Sequence, residues 1–254
     1  MVMELSQADR DYFARGEHSN PRFWSRFGGA PDFRGRRALD VGCGHGSLCL
    51  DMAAAGAQEV VGLDLNARLI DFARAYLAQE RPDLQGRVSF HCLDLAQWPP
   101  DRFDVIVSKD SFEHILDLQG MLAEMGRRLA PGGRVYAGFG PLYRSPFGDH
   151  DAVRLGVRLP WAHVLMGERR LIAHVNRRRR QPIAALPDLG LNGLRLADYR
   201  RLFRESGLRI IFFQTNRSET PGGRLLAGLG RLPWIAEYVT FNIYCILEKP
   251  TVGG

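Results

Sequence analysis

Ala38-Leu39-Asp40-Val41-Gly42-Cys43-Gly44-His45-Gly46 decides the fold. The apolar run that ends at Val41 reads as a strand, three glycines follow at alternate positions, and a helix is expected from about Ser47. Glycine lets the chain turn sharply and approach a ligand closely, and a helix N-terminus presents free N–H groups to it. Asp64 stands 22 residues beyond Gly42, at the end of the next apolar run, where a carboxylate can accept both hydroxyls of a ribose. Three details set the segment apart from a nicotinamide dinucleotide site. The glycine pattern is GxGxG, with Ser47 where the dinucleotide fingerprint has its third glycine. Asp40, two residues before the first glycine, would repel a pyrophosphate and suits a ligand that carries an ammonium group. Asp94 ends the third apolar run, placed to meet an adenine amino group.

Outward from this loop, short apolar runs alternate with helical periodicity, the signature of βαβ units and a mainly parallel sheet. Strands are expected at Arg37–Val41, Glu59–Leu63, Arg87–Cys92, Phe103–Ser108, Arg134–Phe139, Arg209–Gln214 and Phe241–Glu248, the last of them antiparallel. Asn66 caps a helix carrying Leu69, Ile70, Ala73, Tyr76 and Leu77 on one face. A second helix carries Leu118, Met121, Leu122, Met125 and Leu129 and stops at Pro131-Gly132-Gly133; a third, with Tyr199, Leu202 and Phe203, is closed by Gly207. Residues 1–35 read as short helices packed beside the sheet, and residues 36–254 as one α/β domain. Residues 141–192 interrupt the alternation for about fifty residues where a few are usual, and read as a substrate cap.

The segments LDVGCGHG, VVGLDLN, HCLDLAQWP, FDVIVSKDSFEHI and LAPGGRVY resemble the successive motifs of the class I S-adenosylmethionine-dependent methyltransferases. The resemblance spans residues 37–138, with the end strands fitting over 197–248. It implies a Rossmann-like seven-stranded sheet of order 3-2-1-4-5-7-6, strand 7 antiparallel, with helices on both faces and an insertion after strand 5. It further implies that Gly42, Cys43 and Gly44 pass the methionyl part of S-adenosylmethionine, whose ammonium Asp40 orients. Asp64 would bind the ribose and Asp94 the adenine amino group, Leu65 and Leu95 would flank the adenine ring, and Ser108 would line the far side of the site.

The Asn-Pro-Pro-Tyr type motif of many N-methyltransferases is absent after strand 4, where Ser108-Lys109-Asp110-Ser111 stands. The expected reaction is therefore O-methylation of a small molecule. An alcohol acceptor needs a base. His150, just beyond the Gly/Pro-rich turn after strand 5, is the first candidate and His114 the second. Asp149 beside His150 lacks a third ligand, so no metal site is expected. The alternatives are a tRNA, rRNA or other N-methyltransferase, a cofactor-binding partner protein without chemistry, and an NAD(P)-dependent oxidoreductase.

The 254 residues carry 34 Lys plus Arg against 28 Asp plus Glu, a net charge of +6, with 45% hydrophobic and 24% charged residues. That composition excludes wholesale disorder. All basic residues except Lys109 and Lys249 are Arg, and the one dense cluster, Arg177–Arg180, suits phosphate, acidic lipid or nucleic acid or else is a solvated loop; no zinc-ligand, recognition-helix or RNA-binding motif accompanies it. Trp161, His163, Leu165, Met166, Trp234, Ile235 and Tyr238 fit an apolar acceptor pocket, a peripheral membrane contact or a dimer surface. The start MVMELSQADRDYF lacks a signal-peptide pattern, and Cys43, Cys49, Cys92 and Cys245 show no paired spacing. Both point to a cytoplasmic protein with reduced thiols.

Overall fold

The computed structural model describes residues 5–153, 159–216, 228 and 232–251. The rest, including residues 154–158 of the insertion, lie outside the described residues. Seven strands form one sheet: β1 Arg37–Val41, β2 Glu59–Asp64, β3 Val88–Cys92, β4 Phe103–Lys109, β5 Leu129–Phe139, β6 Arg209–Thr215 and β7 Ile243–Glu248. Their order is β3-β2-β1-β4-β5-β7-β6. The pairs from β3 to β5 are parallel, and β7 runs antiparallel to both β5 and β6. This is the expected architecture.

Strand residues alternate between two cores, as the two-residue period of a strand requires. Ala38, Val60, Val105 and Tyr136 face one cluster, and Leu39, Val61, Ile106 and Val135 face the other. The first cluster is closed by α1 (Gln7–Ser25), α2 (Ser47–Ala54) and α3 (Ala67–Glu80). The second is closed by α4 (Leu118–Arg128) and α7 (Leu196–Glu205). Each helix puts its apolar stripe inward, as with Leu118, Leu122 and Met125 on α4 and Tyr199, Leu202 and Phe203 on α7.

Two expectations need correction. The N-terminal segment is one helix of 19 residues rather than several short ones, capped by Ser6 and continuing through Pro21. Its buried aromatics do the anchoring: Phe13 packs on Tyr76 with ring centroids 4.0 Å apart, and Trp24 Nε1 donates to Asp51 at 3.0 Å. Further, α4 ends at Arg128 and β5 begins at Leu129, before Pro131 instead of after Gly133. Extended backbone is set in ahead of the proline, and the pairing with β4 slips between Phe103 and Val105 before it becomes regular. The insertion holds two short helices, α5 (Ala162–Met166) and α6 (Glu168–Asn176); α8 (Pro233–Val239) precedes β7.

Candidate functional site

The glycine loop leaves β1 at the carboxyl edge of the sheet, where α/β folds hold their ligands. The N–H groups of Gly42 and Cys43 donate to the carbonyl of Leu63 at 2.8 and 3.0 Å, which ties the loop to the end of β2. Asp64 completes the tie: it accepts from the N–H of Gly44 at 2.9 Å and of Asn66 at 2.8 Å. One carboxylate thus shapes the loop and also faces the adjoining cavity. Gly42 has φ +78°, and a Cβ on it would stand 2.3 Å from Ser111 Oγ, so both conformation and space call for glycine.

The loop opens into a cavity of about 1160 Å³ lined by Asp40, Gly42, Cys43, Gly44, Asp64, Leu65, Asp94 and Leu95, all of them anticipated cofactor contacts. Leu65 is 72% exposed and Leu95 only 1%, so one is available to cover a flat ring and the other forms part of its floor. Asp94 also caps the turn after β3, accepting from Ala96 N–H at 2.8 Å. Ser108 is placed elsewhere. It is buried, its Oγ donates to the Val41 carbonyl at 2.9 Å, and it ties β4 to β1 outside the cavity lining. Lys109, Asp110 and Ser111 line the cavity instead.

Asp40 is 2% exposed, and its Oδ1 lacks a hydrogen-bond partner among the described residues. Its other oxygen accepts from the Cys49 thiol at 3.5 Å. Burial pushes this carboxyl up to about 7, against the pull of the Lys109 charge. An unpaired buried carboxylate oxygen beside a ligand cavity is matched by a ligand cation. The methionyl ammonium of S-adenosylmethionine fits it, whereas a pyrophosphate does not.

The N-terminal helix is part of the site, which sequence reasoning missed. Tyr12, Arg15, Gly16 and Ser19 line the cavity. The signal was available in Gly16, a helix-interior glycine that local propensity disfavours. A Cβ there would stand 2.3 Å from Ser47 Oγ, so the glycine allows α1 to close on the start of α2. Asp9 fastens the helix by accepting from His45 Nε2 at 2.9 Å and Arg68 Nη1 at 2.6 Å. Lys109 Nζ donates to Ser19 Oγ at 2.6 Å and Asn20 Oδ1 at 3.0 Å from the opposite side.

The two candidate histidines meet, but only His114 lines the cavity. Their ring centroids are 5.0 Å apart. His114 Nδ1 donates to the Gly190 carbonyl at 2.6 Å, and His150 Nε2 to the Pro141 carbonyl at 3.0 Å. His150 has φ +49° and sits behind His114, and burial lowers its pKa. Behind both lies Glu113, 3% exposed, which accepts from Gly140 N–H at 3.0 Å; burial raises it to about 7. No described residue of the insertion lines the cavity. The insertion meets the site through Gly190, His150 and Asn192, whose N–H donates to the Glu113 carbonyl. Arg177–Arg180 lie exposed beyond α6, outside the cavity lining. No helix among the described residues is long and apolar enough to cross a membrane.

Strand order and glycine loop give the chain the fold of the class I S-adenosylmethionine-dependent methyltransferases. Residues 38–133 match the family described as a methyltransferase domain. Among curated proteins, the chain is 38% identical over 99 residues to the magnesium-protoporphyrin O-methyltransferase of Rhodobacter capsulatus, covering 38% of this chain and 42% of that one. It is 32% identical over 130 residues to the ubiquinone biosynthesis O-methyltransferase of Neisseria meningitidis serogroup C, covering 50% and 52%. The matched part is thus about half the length of these relatives. In fold it is similar to an S-adenosylmethionine-dependent methyltransferase from Mesorhizobium loti, with TM-score 0.60 and 20% identity over 91% of this chain and 97% of that one.

Proposed function

We propose that the protein transfers the methyl group of S-adenosylmethionine to an oxygen of a small molecule. The observation that carries this reading is the buried Asp40 carboxylate, whose unpaired oxygen stands at the glycine loop beside the cavity. Asp40 receives the methionyl ammonium, the loop from Gly42 to Gly44 lies along the methionyl chain, Asp64 holds the ribose, and Asp94, Leu65 and Leu95 hold the adenine. The cofactor supplies a sulfonium methyl group open to in-line attack, so the chain's main task is to align the acceptor oxygen with it. That oxygen is placed next to His114, the imidazole that faces the cavity, with His150 behind it instead of in contact with the acceptor.

The relatives bear on the acceptor through their names alone: both are O-methyltransferases. The described residues of the insertion support the acceptor end from behind through His150, Gly190 and Asn192, and α1 borders the cavity. The protein acts where S-adenosylmethionine is made, in the cytoplasm. The test is incubation with methyl-labelled S-adenosylmethionine and a metabolite extract, followed by mass spectrometry. A labelled O-methyl product is expected, with turnover lowered about 10²–10⁴-fold by His114→Ala, the usual scale for loss of a group assisting proton removal. Label found only on RNA or on nitrogen would overturn the reading.

A further inference from the structure

The acceptor end of the cavity carries a constellation that methyl transfer to an oxygen does not by itself require. One ligand atom each from Glu113, His114 and His150 lies within 4.8 Å of the other two. The three converge from separate parts of the chain, two from the segment after β4 and one from the turn after β5. Each imidazole is held by a backbone carbonyl, His114 by Gly190 and His150 by Pro141. A carbonyl can only accept, so each ring spends its one proton there and keeps a lone pair on its other nitrogen. Metal-binding histidines are oriented in this way by partners outside the coordination sphere. Glu113 supplies a second, independent sign: its Oε2 is buried and has no hydrogen-bond partner among the described residues. Buried carboxylates are ordinarily paired or bound to a metal.

We infer that Glu113, His114 and His150 bind a divalent transition-metal cation, such as zinc, manganese or cobalt, at the acceptor end of the cavity. Two imidazoles and one carboxylate suit these ions better than magnesium or calcium, which prefer oxygen donors. With metal–nitrogen distances of about 2.0–2.1 Å, tetrahedral ligand atoms stand about 3.3 Å apart. Closing from at most 4.8 Å to that spacing takes side-chain shifts of about 1.5 Å or less. Three protein ligands leave coordination positions open, and His114 borders the cavity, so an acceptor hydroxyl can occupy one of them. This deepens the O-methyltransferase reading and, as regards use by an acceptor, rests on it. A hydroxyl bound to the cation is more acidic and loses its proton to solvent. Its oxygen then bonds to the methyl carbon while the carbon–sulfur bond breaks and sulfur keeps the electron pair. His114 thus assists deprotonation through the cation.

The test uses metal alone. Protein stripped with a chelator is titrated calorimetrically with zinc chloride, and with cobalt chloride while the visible d–d absorption is followed. One ion per chain is expected, with the absorption of a low-symmetry nitrogen/oxygen cobalt site. His150→Asn, which tolerates the left-handed backbone at this position, and His114→Gln, on an exposed side chain, should each weaken zinc binding at least 30-fold. Both should bind S-adenosylhomocysteine within threefold of wild type, which reports an intact fold. No stoichiometric uptake by the wild type, or uptake unchanged in both variants, would overturn the inference. Failure to bind S-adenosylhomocysteine would instead count against the cofactor reading and leave the metal titration as a separate result.

Discussion

Replacing Gly42 by alanine tests whether the glycine loop is held as the structure shows it. At φ +78° an L side chain costs about 1–2 kcal/mol. The new Cβ would stand 2.3 Å from Ser111 Oγ and 2.9 Å from Ser111 Cβ, closer than such atoms approach. Ser111 must therefore turn away and give up its donation to the Lys109 carbonyl at 3.0 Å, a loss of about 0.5–1.5 kcal/mol. Together Gly42→Ala should destabilise the protein by about 1.5–3.5 kcal/mol, the sum of those two contributions. Urea denaturation measures it, and a double-mutant cycle separates the parts. Ser111→Gly alone removes the hydrogen bond; combined with Gly42→Ala it removes a side chain whose bond is already broken. The two changes should therefore be non-additive by about 0.5–1.5 kcal/mol, the hydrogen bond that each single change loses. If Gly42→Ala costs under about 0.5 kcal/mol, the usual range for a surface substitution, or if the two changes simply add, the close packing of Gly42 on Ser111 is wrong.

Asp64→Ala should weaken S-adenosylhomocysteine binding by about 1.5–3 kcal/mol, the scale of hydrogen bonds to a charged group, read by calorimetry. Asp40 has a folded-state pKa raised from 3.8 to about 7, so its contribution to stability is fully present below pH 3.8 and is lost as pH rises through 7. Asp40→Asn should flatten that decline in the ligand-free protein between pH 4 and 7, while weakening cofactor binding; denaturation midpoints across pH check the first and calorimetry the second. At pH 6, binding of S-adenosylhomocysteine should also release a proton as the ligand ammonium stabilises the Asp40 carboxylate, visible as a buffer-dependent binding enthalpy. Asp9→Ala, which unfastens α1 from His45 and Arg68, should speed hydrogen exchange in residues 7–25 far more than in β1.

Much of the fold was legible because strand periodicity and turn chemistry are local. The runs ending at Val41, Asp64 and Cys92 each carry their own stop signal, and the antiparallel last strand followed from the lack of a strong crossover helix before it. Asp40, Asp64 and Asp94 were legible for the same reason, since each stands within two residues of the end of a strand. Ser108 shows the limit of carrying a residue over by motif: it stands near the end of β4, but its hydroxyl is spent on the Val41 carbonyl instead of on the cavity. The role of α1 depends on long-range contacts such as Asp9 with His45 and Arg68, and on the space left at Gly16, which no local pattern fixes. The same holds for the histidines. Chain position put His150 first, yet the turn after β5 brings it behind His114 and against Glu113, a grouping drawn from both sides of β5 that no local ligand spacing announces.

The most direct measurement is a calorimetric titration of the purified protein with S-adenosylhomocysteine, run beside one with NAD. Stoichiometric binding of S-adenosylhomocysteine, lost or sharply weakened in Asp64→Ala and accompanied by a rise in melting temperature, is the expected result. Binding of NAD with no binding of S-adenosylhomocysteine or S-adenosylmethionine would contradict the assignment of the cavity to the methyl donor.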